Sequence, residues 1–225
     1  MFGQNPIRPP VSGDGMLLDV QQLFATLQGE GPFVGQPSVF VRLGGCNLAC
    51  GFCDTEFEDF TALRIADIIA RVEELSCNKE ARRVRDLVVI TGGEPLRQNI
   101  APLCERLIAD GFRVQVETNG TLFRELPKEV AIVCSPKNKG DGYHAIRLDL
   151  MERLQALKFI VSAHDYHYRD IAEVGQKHHK VPVYVQPMDE QDEAKNAANV
   201  AYATQLAIEN GYILSLQTHK MLGIE

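Results

Sequence analysis

The chain has 225 residues, 45% of them hydrophobic, which suits one sizeable globular core. Its 23 Lys and Arg residues are outnumbered by 30 Asp and Glu residues, and the net charge of −7 argues against tight binding to nucleic acid. A small-molecule substrate is therefore expected. No stretch approaches the ~18 consecutive apolar residues of a membrane span, and no basic region followed by an apolar run marks a secretory signal. We expect no membrane association and a cytoplasmic location.

The first fifteen residues differ in composition from the rest of the chain. Residues 1–15 are rich in Gly, Pro and polar side chains, so a flexible N-terminal arm is expected there. Residues 16–225 contain no internal linker, and we expect them to form a single domain.

From residue 39 onward, short β-branched runs alternate with amphipathic runs. This alternation predicts an α/β fold with a largely parallel sheet and helical crossovers. Strands are predicted at 39–43, 87–91, 113–118, 130–135, 157–161, 181–186 and 212–217. Helices are predicted at 61–76, around 148–156, at 166–178, at 192–210 and through Ile100, Leu103, Leu107 and Ile108. Because the chain is short for eight βα units, an incomplete parallel β/α barrel is expected rather than a closed one.

Polar, Gly or Pro residues follow six of the predicted strands. They include a cysteine-rich loop after 39–43, Gly92 to Pro95 after 87–91, and Asn119-Gly120 after 113–118. Because the carboxyl edge of a parallel sheet carries the active site in α/β folds, these groups are expected to meet in one site.

The cysteine-rich loop contains Cys46, Cys50 and Cys53 in a Cx3Cx2C spacing. In a tight loop this spacing can direct three thiolates at a common centre. A [4Fe–4S] cluster held by three cysteines keeps one iron open. The amino and carboxylate groups of S-adenosylmethionine (SAM) could chelate that iron, and an electron from the cluster could then cleave a C–S bond of SAM.

Three other interpretations of the cysteines stay open at this point. A structural zinc site would need a fourth ligand, and no second CxxC or suitably spaced His pair follows. A thioredoxin-type pair of Cys50 and Cys53 would leave Cys46 unexplained. Three buried structural cysteines would be unusual in a Gly-rich, polar segment.

The cysteine motif together with TGGEP at 91–95 resembles the radical SAM superfamily. Further elements resemble the 7-carboxy-7-deazaguanine synthase family within it, and the resemblance runs from about residue 19 to the C-terminus. These elements are TLQGEG at 26–31, FVRLGGCN at 40–47, CDT at 53–55, VITGGEP at 89–95, VETNG at 116–120, SPK at 135–137, LKF at 157–159, QP at 186–187 and QTHK at 217–220. The resemblance implies a partial parallel β/α barrel of the radical SAM type.

The function that the resemblance implies is that of a lyase in queuosine biosynthesis. The enzyme would convert 6-carboxy-5,6,7,8-tetrahydropterin to 7-carboxy-7-deazaguanine and ammonia, with a [4Fe–4S] cluster, SAM and Mg²⁺ as cofactors. The resemblance also implies a homodimer and a reductant such as flavodoxin or ferredoxin. Two alternatives are a glycyl-radical activase-type radical SAM enzyme and a non-catalytic iron–sulfur protein; the LQGEG and CDT elements favour the synthase.

The resemblance also assigns expected roles to individual residues. Cys46, Cys50 and Cys53 would hold the cluster, and the hydroxyl of Thr55 would ligate Mg²⁺. SAM would contact Phe52, Cys53, Asp54, Gly93, Glu117, Asn119, Ser135, Pro136 and Lys137. The substrate would contact Leu27, Gln28, Gly29, Arg42 and Thr91.

Several of these residues have ordinary structural explanations as well. Arg42 lies in an otherwise apolar strand and needs a partner, which would be the substrate carboxylate or Glu30. The GGEP sequence could be a strand-to-helix turn with Pro95 at the first helical position. Thr55 could cap a helix or turn, and the residues around Asn119 could form a hydrogen-bonded turn.

Overall fold

The computed structural model describes residues 5–224, and within that range the chain forms one nine-stranded sheet. The strands are β1 (Leu17–Leu27), β2 (Pro37–Leu43), β3 (Thr61–Arg64), β4 (Leu87–Gly92), β5 (Arg113–Thr118), β6 (Ala131–Cys134), β7 (Leu154–Val161), β8 (Val183–Pro187) and β9 (Ile213–Leu214). Their order in the sheet is β3-β1-β2-β4-β5-β6-β7-β8-β9.

The sheet is parallel from β2 to β9 and antiparallel at one edge. Each pair of adjacent strands from β2 through β4 to β9 is parallel, whereas β1 is antiparallel to both β2 and β3. Strands β3 and β9 are the two edges, so the sheet does not close. The predicted open, largely parallel α/β sheet is confirmed, and the antiparallel pair β1 and β3 extends it.

The helices are α1 (Ile65–Ser76), α2 (Ala101–Ala109), α3 (Leu148–Met151), α4 (Gln176–His179), α5 (Glu193–Asn210) and α6 (Thr218–Leu222). Helix α1 forms where Ile65, Ile68, Ile69 and Val72 recur on one face, and this buried face packs against β1, β2 and α2. Among the described residues, the helices all fall short of the length and apolar character that a membrane crossing requires.

Helix α5 is bounded by recognisable capping residues. The Asp192 side chain accepts a hydrogen bond from the backbone N–H of Lys195 at 2.9 Å. Gly211 ends the helix with φ +70°, a left-handed conformation that glycine adopts without steric cost.

Three predicted helices are shorter than expected. The helix predicted at 61–76 begins at Ile65, because Thr61–Arg64 pair with β1 as strand β3. The helix predicted around 148–156 ends at Met151, because the chain from Leu154 onward pairs with β6. The helix predicted at 166–178 is replaced by a 3₁₀ turn (Tyr166–Tyr168) and by α4. Residues 169–175 separate the two, and Gly175, with φ +117°, is the N-cap of α4.

Strand β1 was not predicted, although it is the longest strand of the sheet. Leu18 and Val20 are buried in alternation, but the pairing with β2 shifts between Val20 and Gln22. After this irregularity Leu23, which pairs with the buried Val41, packs against the core. A bulge of this kind breaks the two-residue period by which a strand is recognised in a sequence.

The N-terminal segment contacts the loops that follow β2 and β4. The backbone N–H of Arg8 donates to the carbonyl of Cys46 at 2.7 Å, and that of Val11 donates to the carbonyl of Arg97 at 2.8 Å. Residues 1–4 of the expected flexible arm lie outside the described residues, so flexibility over 1–15 stays a prediction.

Candidate active site

A cavity of about 530 Å³ opens at the carboxyl ends of the parallel strands. It gathers side chains from the ends of β1, β2, β4 and β5, from the cysteine-rich loop, and from the residues that follow β6 and β9. Of the site residues predicted from the sequence, all but the buried Pro136 line it, namely Leu27, Gln28, Gly29, Arg42, Cys46, Cys50, Phe52, Cys53, Asp54, Thr55, Thr91, Gly93, Glu117, Asn119, Ser135 and Lys137.

The three loop cysteines share this cavity, and two of their sulfurs lie near asparagine amides. Asn119 Nδ2 lies 3.9 Å from Cys46 Sγ, and Asn5 Nδ2 lies 3.9 Å from Cys53 Sγ. Burial raises the pKa of the Cys46 thiol to about 12 and also raises those of Cys50 and Cys53. A bound cation would therefore have to displace the thiol protons.

Cysteine thiolates are the usual ligands of an iron–sulfur cluster. Between residues 5 and 224, no three His, Cys, Asp or Glu side chains converge closely enough to hold one metal ion. Three thiols around one cavity, with amide donors near two of the sulfurs, suit a larger [4Fe–4S] cluster.

The SPK element places an ammonium group near the cysteines. Lys137 Nζ donates to the carbonyl of Ser135 at 2.9 Å and to its Oγ at 2.6 Å. Burial lowers the pKa of Lys137, while the charge of the ammonium favours the thiolate form of Cys50. The element thus contributes positive charge beside the loop.

The TGGEP turn is fixed by close backbone packing. A Cβ atom on Gly93 would lie 1.9 Å from the carbonyl oxygen of Gly45, so only glycine fits there. The Glu94 carboxylate accepts hydrogen bonds from Thr118 Oγ1 and the Asn119 N–H, both at 2.7 Å, and from the Leu96 N–H at 3.0 Å. Burial raises the pKa of Glu94.

Both structural interpretations of these turns are confirmed. Pro95–Arg97 is a 3₁₀ turn capped by Glu94, and Asn119 forms a hydrogen-bonded turn with Thr121. Asn119 Nδ2 also donates to Asn47 Oδ1 at 2.9 Å, which joins this turn to the cysteine-rich loop. Gly93 and Asn119, which belong to these two turns, also line the cavity.

A buried ion-pair network that the sequence did not predict forms part of the cavity wall. The Lys158 ammonium contacts the Glu30 carboxylate and lies 3.5 Å from Glu117 Oε2. Burial disfavours the charged lysine, but the two carboxylates outweigh it and raise the pKa of Lys158. A lone lysine within the apolar run of β7 is the signal that could have revealed it.

Gln28 joins this network through both atoms of its amide group. Its Nε2 donates to Glu117 Oε1 at 3.0 Å, and its Oε1 accepts from the backbone N–H of Glu30 at 3.1 Å. Glu117 Oε1 also accepts from Gln115 Nε2 at 2.8 Å. The orientations of Gln28 and Glu117 are therefore set within the protein.

Arg42 and Thr91 are register partners on the adjacent strands β2 and β4. Arg42 donates from Nη1 to Gln22 Oε1 at 3.3 Å, and its guanidinium carbon lies 4.9 Å from the centre of the Phe24 ring. Glu30, the internal partner considered for Arg42, forms its ion pair with Lys158 instead.

Helix α6 closes the cavity beside LQGEG. The backbone N–H of Thr218 donates to the Gly29 carbonyl at 3.1 Å, and a Cβ atom on Gly29 would meet His219 Nδ1 at 2.0 Å. Lys220 Nζ bridges Asp54 Oδ2 at 2.5 Å and Asp189 Oδ2 at 2.7 Å. Burial lowers the pKa of His219.

Several polar atoms of the cavity suit bound ligands. Thr55 Oγ1 lies 3.3 Å from Asp54 Oδ1, so hard oxygen donors of the kind that Mg²⁺ prefers are adjacent. Asn5 Oδ1 and Gln21 Oε1 are buried without a hydrogen-bond partner among the described residues. Both side chains line the cavity, where a ligand with N–H groups, as SAM and a pterin have, would satisfy them.

Comparisons with known proteins point to one family. The profile of the Radical SAM superfamily matches residues 40–134. A 7-carboxy-7-deazaguanine synthase of Rickettsia prowazekii is 56% identical over all of this chain and 96% of its own, and one of Rhodospirillum rubrum is 42% identical over the whole of both chains. The crystal structure of QueE from Escherichia coli superposes with a TM-score of 0.71 at 26% identity, covering 89% of this chain and 94% of that one.

Proposed function

Because the chain belongs to the 7-carboxy-7-deazaguanine synthase family of the radical SAM superfamily, we propose that its strand-end cavity converts 6-carboxy-5,6,7,8-tetrahydropterin to 7-carboxy-7-deazaguanine and ammonia. One observation carries the assignment to this cavity: LQGEG, CDT, TGGEP, ETNG and SPK, far apart in sequence, all contribute to its wall. The partial β/α barrel of the superfamily supplies the strand ends that hold them.

The enzyme uses a [4Fe–4S] cluster and SAM. We assign the cluster to Cys46, Cys50 and Cys53, and SAM to residues 52–54, Gly93, Glu117, Asn119 and the SPK element. Together these cofactors supply reductive cleavage of SAM and removal of a hydrogen atom from a substrate C–H bond. Lys137 beside Cys50 offsets part of the negative charge of a bound cluster.

The substrate side of the cavity is assigned to Leu27, Gln28, Gly29, Arg42 and Thr91. The guanidinium of Arg42 suits the carboxylate of the pterin, because a planar fork of N–H donors matches two carboxylate oxygens. Lys158 fixes Glu30 and Glu117 and so keeps LQGEG against the end of β5. Helix α6 covers this side and restricts the entry of water, which protects a radical from competing reactions.

Further assignments belong to the same proposal. Thr55 would contribute a hydroxyl ligand to Mg²⁺, with water and the substrate carboxylate completing its shell. The enzyme would work in the cytoplasm, where thiols stay reduced, with a flavodoxin or ferredoxin as reductant. It would act as a homodimer. Pro136 keeps its proposed SAM role only through the backbone of SPK, since it does not line the cavity.

Product analysis tests the proposed reaction. The anaerobically reconstituted protein is mixed with SAM, a reductant, Mg²⁺ and the carboxytetrahydropterin, and the products are identified by mass spectrometry. Carboxydeazaguanine and an equal amount of ammonia are expected. If 5′-deoxyadenosine forms without carboxydeazaguanine, the radical SAM assignment survives and the substrate assignment is wrong.

A further inference from the structure

We infer that Asn5 is a residue of the active site, whose amide oxygen accepts a hydrogen bond from bound SAM and whose amide nitrogen positions the CDT turn. The inference deepens the proposed function and rests on it. Asn5 belongs to a segment expected from the sequence to be a flexible arm, yet its side chain is only 7% exposed. It lines the same cavity as the three cysteines.

The amide nitrogen of Asn5 spans the CDT turn. It donates to the backbone carbonyl of Thr55 at 2.9 Å and lies 3.9 Å from Cys53 Sγ. Asp54, which lies between these two residues, belongs to the stretch assigned to SAM. The Asn5 side chain therefore contacts Cys53, a proposed cluster ligand, and the backbone of Thr55, the proposed Mg²⁺ ligand. These two residues flank Asp54 in the stretch assigned to SAM.

The amide oxygen of Asn5 has no hydrogen-bond partner in the described part of the chain. It is buried and lacks a hydrogen-bond donor among residues 5–224, although native structures satisfy almost all such atoms. Because the side chain lines the cavity, a cavity ligand can supply the missing donor. SAM carries amino groups and is assigned to residues 52–54, the stretch that the Asn5 amide nitrogen contacts, so we assign the donor to SAM.

The backbone around Asn5 is held independently of its side chain. Ile7 forms a β-bridge with Cys46, and the backbone N–H of Arg8 donates to the Cys46 carbonyl at 2.7 Å. Arg8 Nε also donates to Glu58 Oε2 at 2.8 Å. Replacing the Asn5 amide therefore removes its hydrogen bonds while these contacts keep the segment against the loop.

The two ends of the amide predict different effects. A donor near a cysteine sulfur stabilises the more negative, reduced cluster, since hydrogen bonds to the sulfurs help set the potential. Loss of the donor at Cys53 should therefore shift the midpoint potential to a more negative value. Loss of the acceptor should weaken the binding of SAM by about tenfold, the effect of one well-formed hydrogen bond.

The test compares Asn5→Ala, Asn5→Asp and the control Asn99→Ala in the reconstituted enzyme without substrate. Asn99 Nδ2 donates to the Gly13 carbonyl at 3.3 Å, and Asn99 does not line the cavity. Its replacement therefore removes a hydrogen bond to the N-terminal segment at a point away from the site. SAM affinity is measured by equilibrium dialysis, and the cluster potential by EPR-monitored titration.

Asn5→Ala is expected to bind SAM about tenfold more weakly and to shift the potential to a more negative value. Asn5→Asp keeps an acceptor and loses the donor, so its SAM affinity should stay near that of the wild type while its potential shifts. Asn99→Ala should change neither quantity.

Two results would overturn the inference. One is an Asn5→Ala enzyme with wild-type iron content, SAM affinity and potential. The other is an Asn5→Ala enzyme with a shifted potential but unchanged SAM affinity, which would show that SAM does not donate to the amide oxygen. Neither result touches the proposed function, which depends on whether the wild-type enzyme makes carboxydeazaguanine.

Discussion

The ammonium of Lys158 contacts the carboxylate of Glu30, a residue 128 positions away in sequence, and both side chains are largely buried. This pair joins β7 to the LQGEG segment, and Glu117 on β5 extends it. A buried ion pair becomes costly when one partner is removed, because the other charge is then left without compensation.

Lys158→Met should therefore lower the free energy of unfolding by about 3–5 kcal/mol, the range for breaking a buried pair. Urea denaturation of the variant and the wild type measures the change. The matched control is Lys177→Met, which removes an exposed ion pair to Glu173; it should cost less than about 0.5 kcal/mol. Equal effects of the two substitutions would contradict the role of Lys158.

The same pair predicts how stability depends on pH. Burial opposes the charged form of Glu30, but the Lys158 ammonium outweighs it and holds the pKa of Glu30 well below its usual range. A depressed carboxyl pKa stabilises the fold above the unfolded value, and this contribution is lost as the pH falls through the folded value.

The wild type should therefore be more stable than Glu30→Gln at pH 7, and the difference should shrink as the pH falls below about 4.3, the unfolded pKa of Glu. Denaturation curves of both proteins from pH 7 to pH 3 provide the measurement. A stability difference that grows on acidification would show that Glu30 is not held as a carboxylate.

Gly29 is predicted to accept no side chain. A Cβ atom there would lie 2.0 Å from His219 Nδ1, so Gly29→Ala should push α6 away from the cavity. Product formation should fall by about 10²-fold, the cost of a small misplacement in an active site, and amide hydrogen exchange at 218–222 should accelerate. Gly13→Ala, where a Cβ meets nothing within 4 Å, is the control.

Lys220 should hold α6 over the site through its two carboxylate partners. Lys220→Met removes the bridge to Asp54 and Asp189, and hydrogen exchange at 218–222 should rise together with the KM for the pterin. Lys195→Met, which removes only the pair between Lys195 and Glu190, should change neither. An unaltered exchange rate in Lys220→Met would mean that other contacts hold α6.

Most of the parallel sheet could be predicted, because each of its strands is a short apolar run followed by Gly, Pro or polar residues. The prediction placed β5 at its observed bounds, Arg113–Thr118. It missed β1, because the irregularity after Val20 disrupts the alternation of buried side chains. It also missed β3, whose side chains are mostly exposed.

The site could be predicted where chemistry is concentrated in short motifs, as in CDT and TGGEP. Asn5 gave no such signal, and the lone Lys158 in an apolar strand signals a buried partner without identifying it, since each residue acts through contacts that only the folded chain creates. Lys158 lies in an apolar strand, and Asn5 lies in a segment whose Gly and Pro content suggested flexibility. The partners of both residues are distant in sequence.

The most direct test of the central claim, that Cys46, Cys50 and Cys53 hold a catalytic cluster, compares wild type, Cys46→Ala, Cys50→Ala, Cys53→Ala and Cys104→Ala after anaerobic reconstitution. Cys104 is fully buried in the core and outside the cavity wall. Wild type and Cys104→Ala should carry about four iron atoms per chain and cleave SAM on reduction. The three loop variants should do neither. Normal iron content in all three would contradict the assignment.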